Sequence, residues 1–533
     1  MRVMNMNKGI SKTQLLFAIV LTALLLAPVA FGAAPGITGG TGTTATFNLT
    51  AQAEYLTQPD GSAIYSWGYG CSGTPTFAPA AIANGFCSTM QVPGPTLIVT
   101  QGQTVTVNLT NNLPNAAGNT SILFPGFTVT SSTGAGTAAG LLTREAAPGG
   151  TVAYTFTATT AGTRAYYSGT QGDLQVEMGL YGAIIVVPST IPPTCDAGLP
   201  LTNPGNNAAA QSATGEADFR LAPAAYNNAS ACYDREYIFQ FSEIDPRIHR
   251  EALQQSTKAC VGCMNVATEP YTPAYFMING RSMPDDMDPN YAPQYPHQPY
   301  NGNPHMHPGE LVLLRIVGQG RWQHPFHEHG NHVRVLARDG NLILSTSDPA
   351  DPNLAGPLLF TTTTTPGQSI DGIFYWTGKG LNWDPYGHSP ASSDVQAKLP
   401  CVPDANGYNT SNPGAINYFE WCQDHNKPLQ ATPIGDVAGG GPVTLPDPNI
   451  FANGPWFGGS PYLGPNATVR AVGSTGTTPP SGTIANSPTD EAGFAFMWHS
   501  HNEREITTNN SFPGGMLMMM LVDSREFVIN ESN

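Results

Sequence analysis

Charged side chains are scarce in this sequence, and basic ones are scarcer than acidic ones. Of the 533 residues only 11% are charged, with 21 Lys and Arg against 37 Asp and Glu, which gives a formal net charge of −16. Nucleic acid binding depends on a basic surface that neutralises phosphates. The composition therefore excludes nucleic acid as a partner.

Long apolar runs are missing too, except near the amino terminus. There, an apolar run over residues 15–26 follows three cationic residues and precedes two small ones, the layout of a secretory signal. We predict a signal peptide over 1–32, cut between Gly32 and Ala33; an uncleaved anchor is the alternative, but the run is short for a membrane span. Its removal takes three positive charges from −16 and leaves −19. We expect an exported chain, periplasmic or extracellular, with no membrane span once mature.

The composition is that of a β protein with many turns. Gly (58 residues) and Pro (48 residues) are abundant and interrupt short segments in which apolar and polar residues alternate, such as "TVTVNLTNNL". We predict an all-β chain. Its expected parts are a first β domain over 36–189, a linker over 190–234, and a second β domain over 235–526 with a loop insertion at about 380–490.

The eight cysteines are even in number, which in an exported chain indicates disulfides. Their spacing makes Cys71–Cys87 and Cys401–Cys422 plausible pairs, and Cys195 is within reach of Cys232. This leaves Cys260 and Cys263 in "CVGC", which is either a redox or metal pair or a structural disulfide. The motif lacks a following His and a second CxxC, so we favour the structural disulfide; the sequence alone does not fix connectivity.

Histidine is absent before His249, yet six of the twelve histidines fall in two short stretches. "RWQHPFHEHGNH" contains His324, His327, His329 and His332, and "WHSHNERE" contains His499 and His501. Side chains at i and i+2 of a strand share a face, so each His-x-His pair should point one way. Two such pairs on adjacent strands could place four imidazoles around one or two metal ions, and imidazole suits copper and zinc.

These motifs carry a family resemblance. "HPFHEHG" and "WHSHNERE…GGM" are similar to the two C-terminal copper motifs of multicopper oxidases, and "VPGPTLIVTQGQTVTVNLTNNLP" is similar to part of their first domain. The resemblance spans most of residues 60–190 and 236–525. It implies all-β, tandem cupredoxin-like Greek-key β-sandwich domains. It also implies that His324 is the type 1 copper position, His327 the type 2 position, and His329, His499 and His501 type 3 positions.

The chain departs from that family at several ligand positions. Ser500 stands where the family has the type 1 cysteine, and Glu505 stands where it has a further type 1 histidine. A serine hydroxyl cannot supply the soft thiolate of a blue copper site. In the first domain, "SILFPGFTV" (121–129) and "YYSGTQ" (166–171) replace the family's two His motifs, so four of the eight ligands of its trinuclear cluster are absent.

Several nearby residues are weaker candidates. His332 could be an extra ligand, although a surface or supporting role is favoured, and Glu503 and Glu505 could accept hydrogen bonds from ligand imidazoles. "NPHMHPGE" offers His305 and His307 in an expected loop. The run of Met516, Met518, Met519 and Met520 could bind copper through thioethers, but methionine packs cores well and core packing is favoured.

The sequence therefore predicts an exported copper-binding protein of the multicopper oxidase family. The expected metal ligands are His327, His329, His499, His501 and His324, holding one or two copper ions, with zinc the less favoured metal. An oxidoreductase with an incomplete, non-blue site is the leading hypothesis, with a small molecule or a metal ion as reductant. Copper sequestration without turnover and a structural envelope role are the alternatives. The oligomeric state stays open.

Overall fold

The computed structural model describes residues 33–82, 84–195, 216–346, 353–379, 399–415, 417–425, 429–430, 441–442, 459–460, 493–523 and 529. The predicted signal peptide and most of the predicted insertion lie outside these residues.

The first part of the chain forms two five-stranded sheets, with strand orders β4-β1-β5-β12-β11 and β3-β2-β6-β10-β7. A two-stranded hairpin, β8-β9, lies beside them. The strands are β1 Gly36–Thr38, β2 Thr44–Thr57, β3 Ala63–Cys71, β4 Thr76–Ala78, β5 Leu97–Thr100, β6 Thr104–Asn111, β7 Thr130–Ser131, β8 Thr137–Ala139, β9 Arg144–Ala146, β10 Thr151–Thr157, β11 Gly162–Tyr167 and β12 Tyr181–Val187.

The alternation seen in the sequence decides which side of these strands is buried. In β6, Val105, Val107 and Leu109 are fully buried, and the residues between them are partly exposed. The neighbouring β10 repeats this pattern, and the two strands pair antiparallel. Apolar side chains from both sheets meet in one core, which is the arrangement of a β-sandwich.

The strands of the second part are β13 Arg235–Ile244, β14 Tyr275–Ile278, β15 His305–Met306, β16 Leu311–Gly318, β17 His324–Glu328, β18 Val333–Arg338, β19 Asn341–Leu342, β20 Leu358–Leu359, β21 Thr361–Thr364, β22 Ser369–Tyr375, β23 Leu429–Gln430, β24 Gly441–Pro442, β25 Gly459–Ser460, β26 Gly493–Ser500 and β27 Leu517–Asp523. Seven of them form a sheet in the order β14-β13-β16-β22-β18-β19, with β20 beside β18, and six form a sheet in the order β15-β27-β26-β17-β21, with β25 beside β26. The remaining two, β23 and β24, pair with each other.

Aromatic side chains and methionines fill the core between these two sheets. Phe239, Phe326, Phe374 and Trp498 contact one another with ring centroids 4.9–6.3 Å apart. All four methionines of the run 516–520 are buried in the same core. These methionines therefore pack in the core, the role that was favoured over copper binding.

Two α-helices occur among the described residues, α1 Gly172–Gln175 and α2 Pro246–Gln255. Asp245 caps α2 through a carboxylate that accepts from the Arg247 amide, and Pro246 occupies the first turn, where its missing N–H costs nothing. Short 3-10 helices span Asn115–Ala117, Pro193–Cys195, Asp285–Met287, Cys422–Asp424 and Glu503–Ile506. Strand patterns did not predict α2.

The described half of the predicted linker, residues 216–234, packs closely rather than crossing in solvent. Tyr226 and Tyr233 are buried against apolar residues of the second sandwich. The Pro- and Asn-rich composition of the predicted linker suggested a segment exposed to solvent. The two aromatic rings explain why residues 216–234 pack against the protein instead. The linker and domain bounds themselves stay predictions.

Buried polar contacts join the two sandwiches. Arg315 in β16 donates to Glu236 at 2.8 Å and to the Thr163 hydroxyl of β11 at 3.1 Å. Asp371 in β22 accepts from the Thr163 amide at 3.1 Å and from the Tyr226 hydroxyl at 2.5 Å. These groups are at most 4% exposed, so each charge depends on the others for compensation.

All four disulfides considered from the sequence are present. They are Cys71–Cys87, Cys195–Cys232, Cys260–Cys263 and Cys401–Cys422. Among the described residues, helices long and apolar enough to cross a membrane are absent.

We predict that Arg315→Met destabilises the protein by about 3–5 kcal/mol, because it leaves buried carboxylates without their cation. The measurement is the thermal unfolding midpoint by circular dichroism, which should fall by several degrees. Arg338→Met is the matched control: this arginine of β18 is exposed, and its loss should change stability by no more than about 0.5 kcal/mol. Equal midpoints for the two variants would contradict the interface described here.

Candidate metal centre

Two adjacent strands of the six-stranded sheet carry the two His-x-His pairs. Strands β17 and β26 pair antiparallel, with His327 opposite His499 and Phe326 opposite Ser500. Because side chains alternate along a strand, His327, His329, His499 and His501 share the outer face of the sheet. His324, Phe326 and Ser500 face the interior, as the spacing predicted.

The four outward histidines form one compact cluster. The His327 ring centroid lies 4.7 Å from that of His329, 5.6 Å from that of His499 and 4.9 Å from that of His501. The His499 centroid lies 5.1 Å from that of His329 and 5.5 Å from that of His501. The structure thus brings together the four histidines that the sequence grouped.

Neighbouring groups orient two of these rings. Nδ1 of His499 lies 2.7 Å from the main-chain oxygen of Ser500, an acceptor, so this nitrogen carries the proton. Nδ1 of His327 lies 2.8 Å from the Thr361 hydroxyl. With Nδ1 engaged, Nε2 is the atom of each ring that would bind a metal. Nε2 of His499 is 3.2 Å from Nε2 of His329, about the separation of two nitrogen ligands on one ion with bonds of about 2.0 Å.

The surroundings keep His327 and His499 neutral and leave one side of the cluster open. Burial, and after it the charges of His329, His499 and His501, lower the pKa of His327 to about 4. Burial also lowers the pKa of His499. Neutral imidazole is the form that binds metal. The His501 side chain is 54% exposed, so a small molecule can reach the cluster from solvent.

His324 is held differently, by a carboxylate on each side. Its Nδ1 lies 2.9 Å from Glu505 and its Nε2 lies 2.9 Å from Glu243, and all three side chains are fully buried. Burial alone would lower the pKa of His324. Hydrogen bonds and charge from Glu243 and Glu505 outweigh it and raise the pKa to about 9. His324 is therefore an imidazolium with both nitrogens engaged.

Ser500 belongs to the same buried group. Its hydroxyl donates to Glu505 Oε2 at 2.5 Å, the oxygen that also contacts His324. Asn502 donates to the other Glu505 oxygen at 2.8 Å. The positions that the resemblance assigns to type 1 copper thus form a closed set of charge-assisted hydrogen bonds.

The sequence analysis missed the residues that extend this group toward the first sandwich. Glu243 accepts from the Tyr271 hydroxyl at 3.0 Å, and that hydroxyl also lies 2.6 Å from Glu177 of the first sandwich. Glu177 in turn lies beside the buried His249. Buried acids on strands were the available signal, but nothing in their spacing links them to His324.

Glu328, between the two histidines of the first pair, faces inward. It is fully buried, accepts from the Thr362 hydroxyl, and its strand position pairs with Trp498. Burial raises the pKa of Glu328 to about 8. Its carboxyl is on the side of the sheet away from the histidine cluster.

In the first sandwich, the stretches that replace the family's His motifs are closed by hydroxyl and amide contacts. The Ser121 and Thr170 hydroxyls lie 2.9 Å apart. Gln175 accepts from Thr120 at 2.9 Å and from Ser168 at 2.6 Å. These side chains are buried, and none of them is a usual ligand for copper.

The weaker candidates are placed as follows. His332 stacks near Phe360, with ring centroids 5.0 Å apart. Glu503 lies 3.5 Å from His501 Nδ1, and both side chains are exposed. Glu505 contacts His324 rather than any of the four clustered histidines.

His305 and His307, expected in a loop, are fully buried, and His305 lies in β15 beside β27. His305 contacts Asp523 at 2.5 Å and His307 contacts Glu216 at 2.6 Å. Glu216, His307 and Glu310 lie close enough together to hold an ion. The guanidinium of Arg235, 2.5 Å from Glu216 and 2.6 Å from Glu310, already supplies the positive charge there.

A second close group among the described residues consists of Cys401, Glu420 and His425. Its cysteine is bonded to Cys422, so it has no thiolate to offer. Its Glu420 and His425 contact each other at 2.7 Å. These two groups are thus poorer candidates for a metal site than the four-histidine cluster.

Comparison with known proteins agrees with this geometry. Two sequence models of the multicopper oxidase family match the chain, one over residues 79–190 and one over residues 267–371. No curated protein matches it. The chain belongs to the multicopper oxidase family, and its fold is the predicted pair of cupredoxin-like β-sandwiches.

Solved structures that are similar to this chain include the following copper proteins. A blue copper oxidase from Nitrosomonas europaea is 14% identical, with 89% of this chain and 85% of that one covered and a TM-score of 0.42. A copper nitrite reductase from the same organism is 19% identical, covering 62% and 84%, with a TM-score of 0.35. A laccase from Botrytis aclada is 18% identical, covering 63% and 47%, with a TM-score of 0.36.

We predict that Ser500→Cys does not create a blue copper site. The thiolate would be supplied, but Glu505 stands in place of the second imidazole and His324 has both nitrogens bound to carboxylates. The measurement is the visible absorption spectrum after copper loading, with Ser500→Ala as the matched control. Both variants should lack an intense blue band. A blue Ser500→Cys protein would show that the carboxylates yield readily to copper.

Proposed function

We propose that this protein is an exported copper oxidoreductase that holds its copper in the four-histidine cluster and has no type 1 copper. The observation that carries the proposal is the convergence of His327, His329, His499 and His501 on one open face. Family membership supports copper as the metal. Four disulfides and the predicted signal peptide support export.

The donor set fits copper. His327 and His499 are neutral and have Nδ1 engaged, and Nε2 of His499 lies 3.2 Å from Nε2 of His329. Such outer hydrogen bonds fix the tautomer and orientation of a ligand ring. All-imidazole donors without thiolate suit a non-blue copper site, with zinc as the alternative metal. When bound, copper would supply one-electron redox chemistry at this face.

His324 does not belong to this ligand set in our proposal. A ring that binds metal needs a free lone pair, and both of its nitrogens donate to Glu243 and Glu505. Ser500 cannot provide the thiolate through which the family passes electrons from the type 1 site. Instead, the buried ionic group of His324, Glu243 and Glu505 stabilises the ends of β17 and β26. It lies next to Ser500, the residue between His499 and His501.

Without the type 1 cysteine, the path that carries electrons from a type 1 copper is missing, and this changes where a reductant has to bind. Without a type 1 site, electrons have to enter at the four-histidine cluster itself. The exposed edge of His501 and the ring of Phe360, which is 48% exposed and 5.6 Å from His327, form the accessible side. A small molecule or a metal ion fits this access better than a bulky reductant would.

We predict that the protein purified from an oxidising compartment carries one to two copper ions per chain and shows no intense blue band. The His499→Ala/His501→Ala variant should lose most of this copper, because two of four donors are gone. Elemental analysis and electron paramagnetic resonance measure both, and elemental analysis also separates copper from zinc.

His297→Ala is the matched control, because that histidine contacts the Met90 carbonyl in a different part of the molecule. It should keep full copper content. Equal copper in the double variant and the control would mean that the metal lies elsewhere. An intense blue band in the unaltered protein would overturn the assignment of Ser500.

Copper sequestration without turnover is the second candidate, and the closed group around His324 favours it because the usual electron path is missing. Oxygen uptake with phenols, diamines or reduced metal ions separates the two. We expect copper-dependent uptake that His327→Ala abolishes. Oxygen uptake at the background rate by protein with a full copper load would establish sequestration. Purified protein without any bound metal would indicate a structural role.

A further inference from the structure

One of the four disulfides differs from the others in exposure. Cys71, Cys195 and Cys232 are buried, and Cys87, Cys401 and Cys422 are half-buried. Cys260 is exposed, and so is the apolar Val261 beside it, at 64%. A thiolate from solvent can therefore reach Cys260 Sγ without any opening of the fold.

The Cys260–Cys263 ring is also the smallest. Its cysteines are 3 residues apart, against 16, 37 and 21 for the other three pairs. A disulfide stabilises mainly by limiting the unfolded chain, and this effect grows with the length of the closed loop. Opening this ring therefore costs the fold less than opening any other.

Contacts with the first sandwich hold the Cys263 end of the ring in place. The Gly262 amide donates to the Asn115 carbonyl and the Met264 amide donates to the Ala116 carbonyl, both at 2.9 Å. The Met264 side chain is 6% exposed and packs into the core of the first sandwich. This end of the ring would thus stay in place with the bond broken.

The local charge favours thiolate chemistry. Lys258 is the one charged residue in the sequence between Glu251 and Glu269, and it lies two residues before Cys260. Its Nζ donates to Gln255 Oε1 at 2.8 Å. A nearby cation stabilises a thiolate over its thiol. Half-buried Cys263 is the leaving sulfur in an attack on Cys260.

We propose that Cys260–Cys263 is a thiol–disulfide exchange site whose partner is a dithiol. A partner thiolate attacks Cys260 Sγ, the Cys260–Cys263 bond breaks, and Cys263 leaves as a thiolate that takes up a proton. The partner's second thiolate then attacks its own sulfur in the mixed disulfide and releases Cys260. The protein disulfide gains two electrons and two protons, and the partner dithiol becomes a disulfide. This site is independent of the proposed copper function.

The test is a titration of the folded, full-length protein with dithiothreitol, quenched with iodoacetamide and mapped by mass spectrometry. Cys260 and Cys263 should be alkylated at a dithiothreitol concentration at least about tenfold below that needed for the other six cysteines. Circular dichroism should stay unchanged at that point. Alkylation of another pair first, or of all eight cysteines together with loss of structure, would overturn the proposal.

The Cys260→Ser/Cys263→Ser variant is the matched control. It should fold normally and lack the early-reacting pair while the other six cysteines react as before. A second measurement tests the direction of attack: glutathione, a monothiol, should be trapped on Cys260 of the unaltered protein. An adduct found on Cys263 alone would contradict the assignment of Cys260 as the attacked sulfur.

Discussion

The buried ion pair of His324 with Glu243 and Glu505 determines how the second sandwich is organised around its candidate site. Each nitrogen of the ring lies 2.9 Å from a carboxylate. In the low dielectric of the interior, these charges stabilise one another, and removing the imidazolium would leave two buried carboxylates without their cation. Ser500 joins through its hydroxyl, so the peptide between His499 and His501 is tied to the same group.

The two faces of one strand pair therefore serve different purposes. Inward, β17 and β26 contribute His324 and Ser500 to a closed, charged and fully bonded group. Outward, the same strands present the two His-x-His pairs. His327 and His499 are neutral there, and the His501 side chain is exposed to solvent. Strand periodicity keeps the two environments apart, which is why a change at the interior positions leaves the outer histidine pairs in place.

Much of this arrangement could be predicted from the sequence. Alternation in segments such as β6 predicted the strands, and the i, i+2 spacing predicted that His327 and His329, and likewise His499 and His501, share a face. The strand pairing that joins them depends on register, which their spacing along the chain could not predict. The partners of His324 were not predictable, because Glu243 lies 81 residues away along the chain. Tyr226 and Tyr233 likewise pack where composition suggested a solvated linker.

The most direct test of the central claim is X-ray absorption spectroscopy at the copper edge on the copper-loaded protein. We expect the copper to be surrounded by imidazole nitrogens, with no short copper–sulfur contribution. This nitrogen shell should be lost in the His327→Ala/His329→Ala variant. A short copper–sulfur contribution, or an unchanged first shell in that variant, would contradict the assignment of the metal centre to the four histidines.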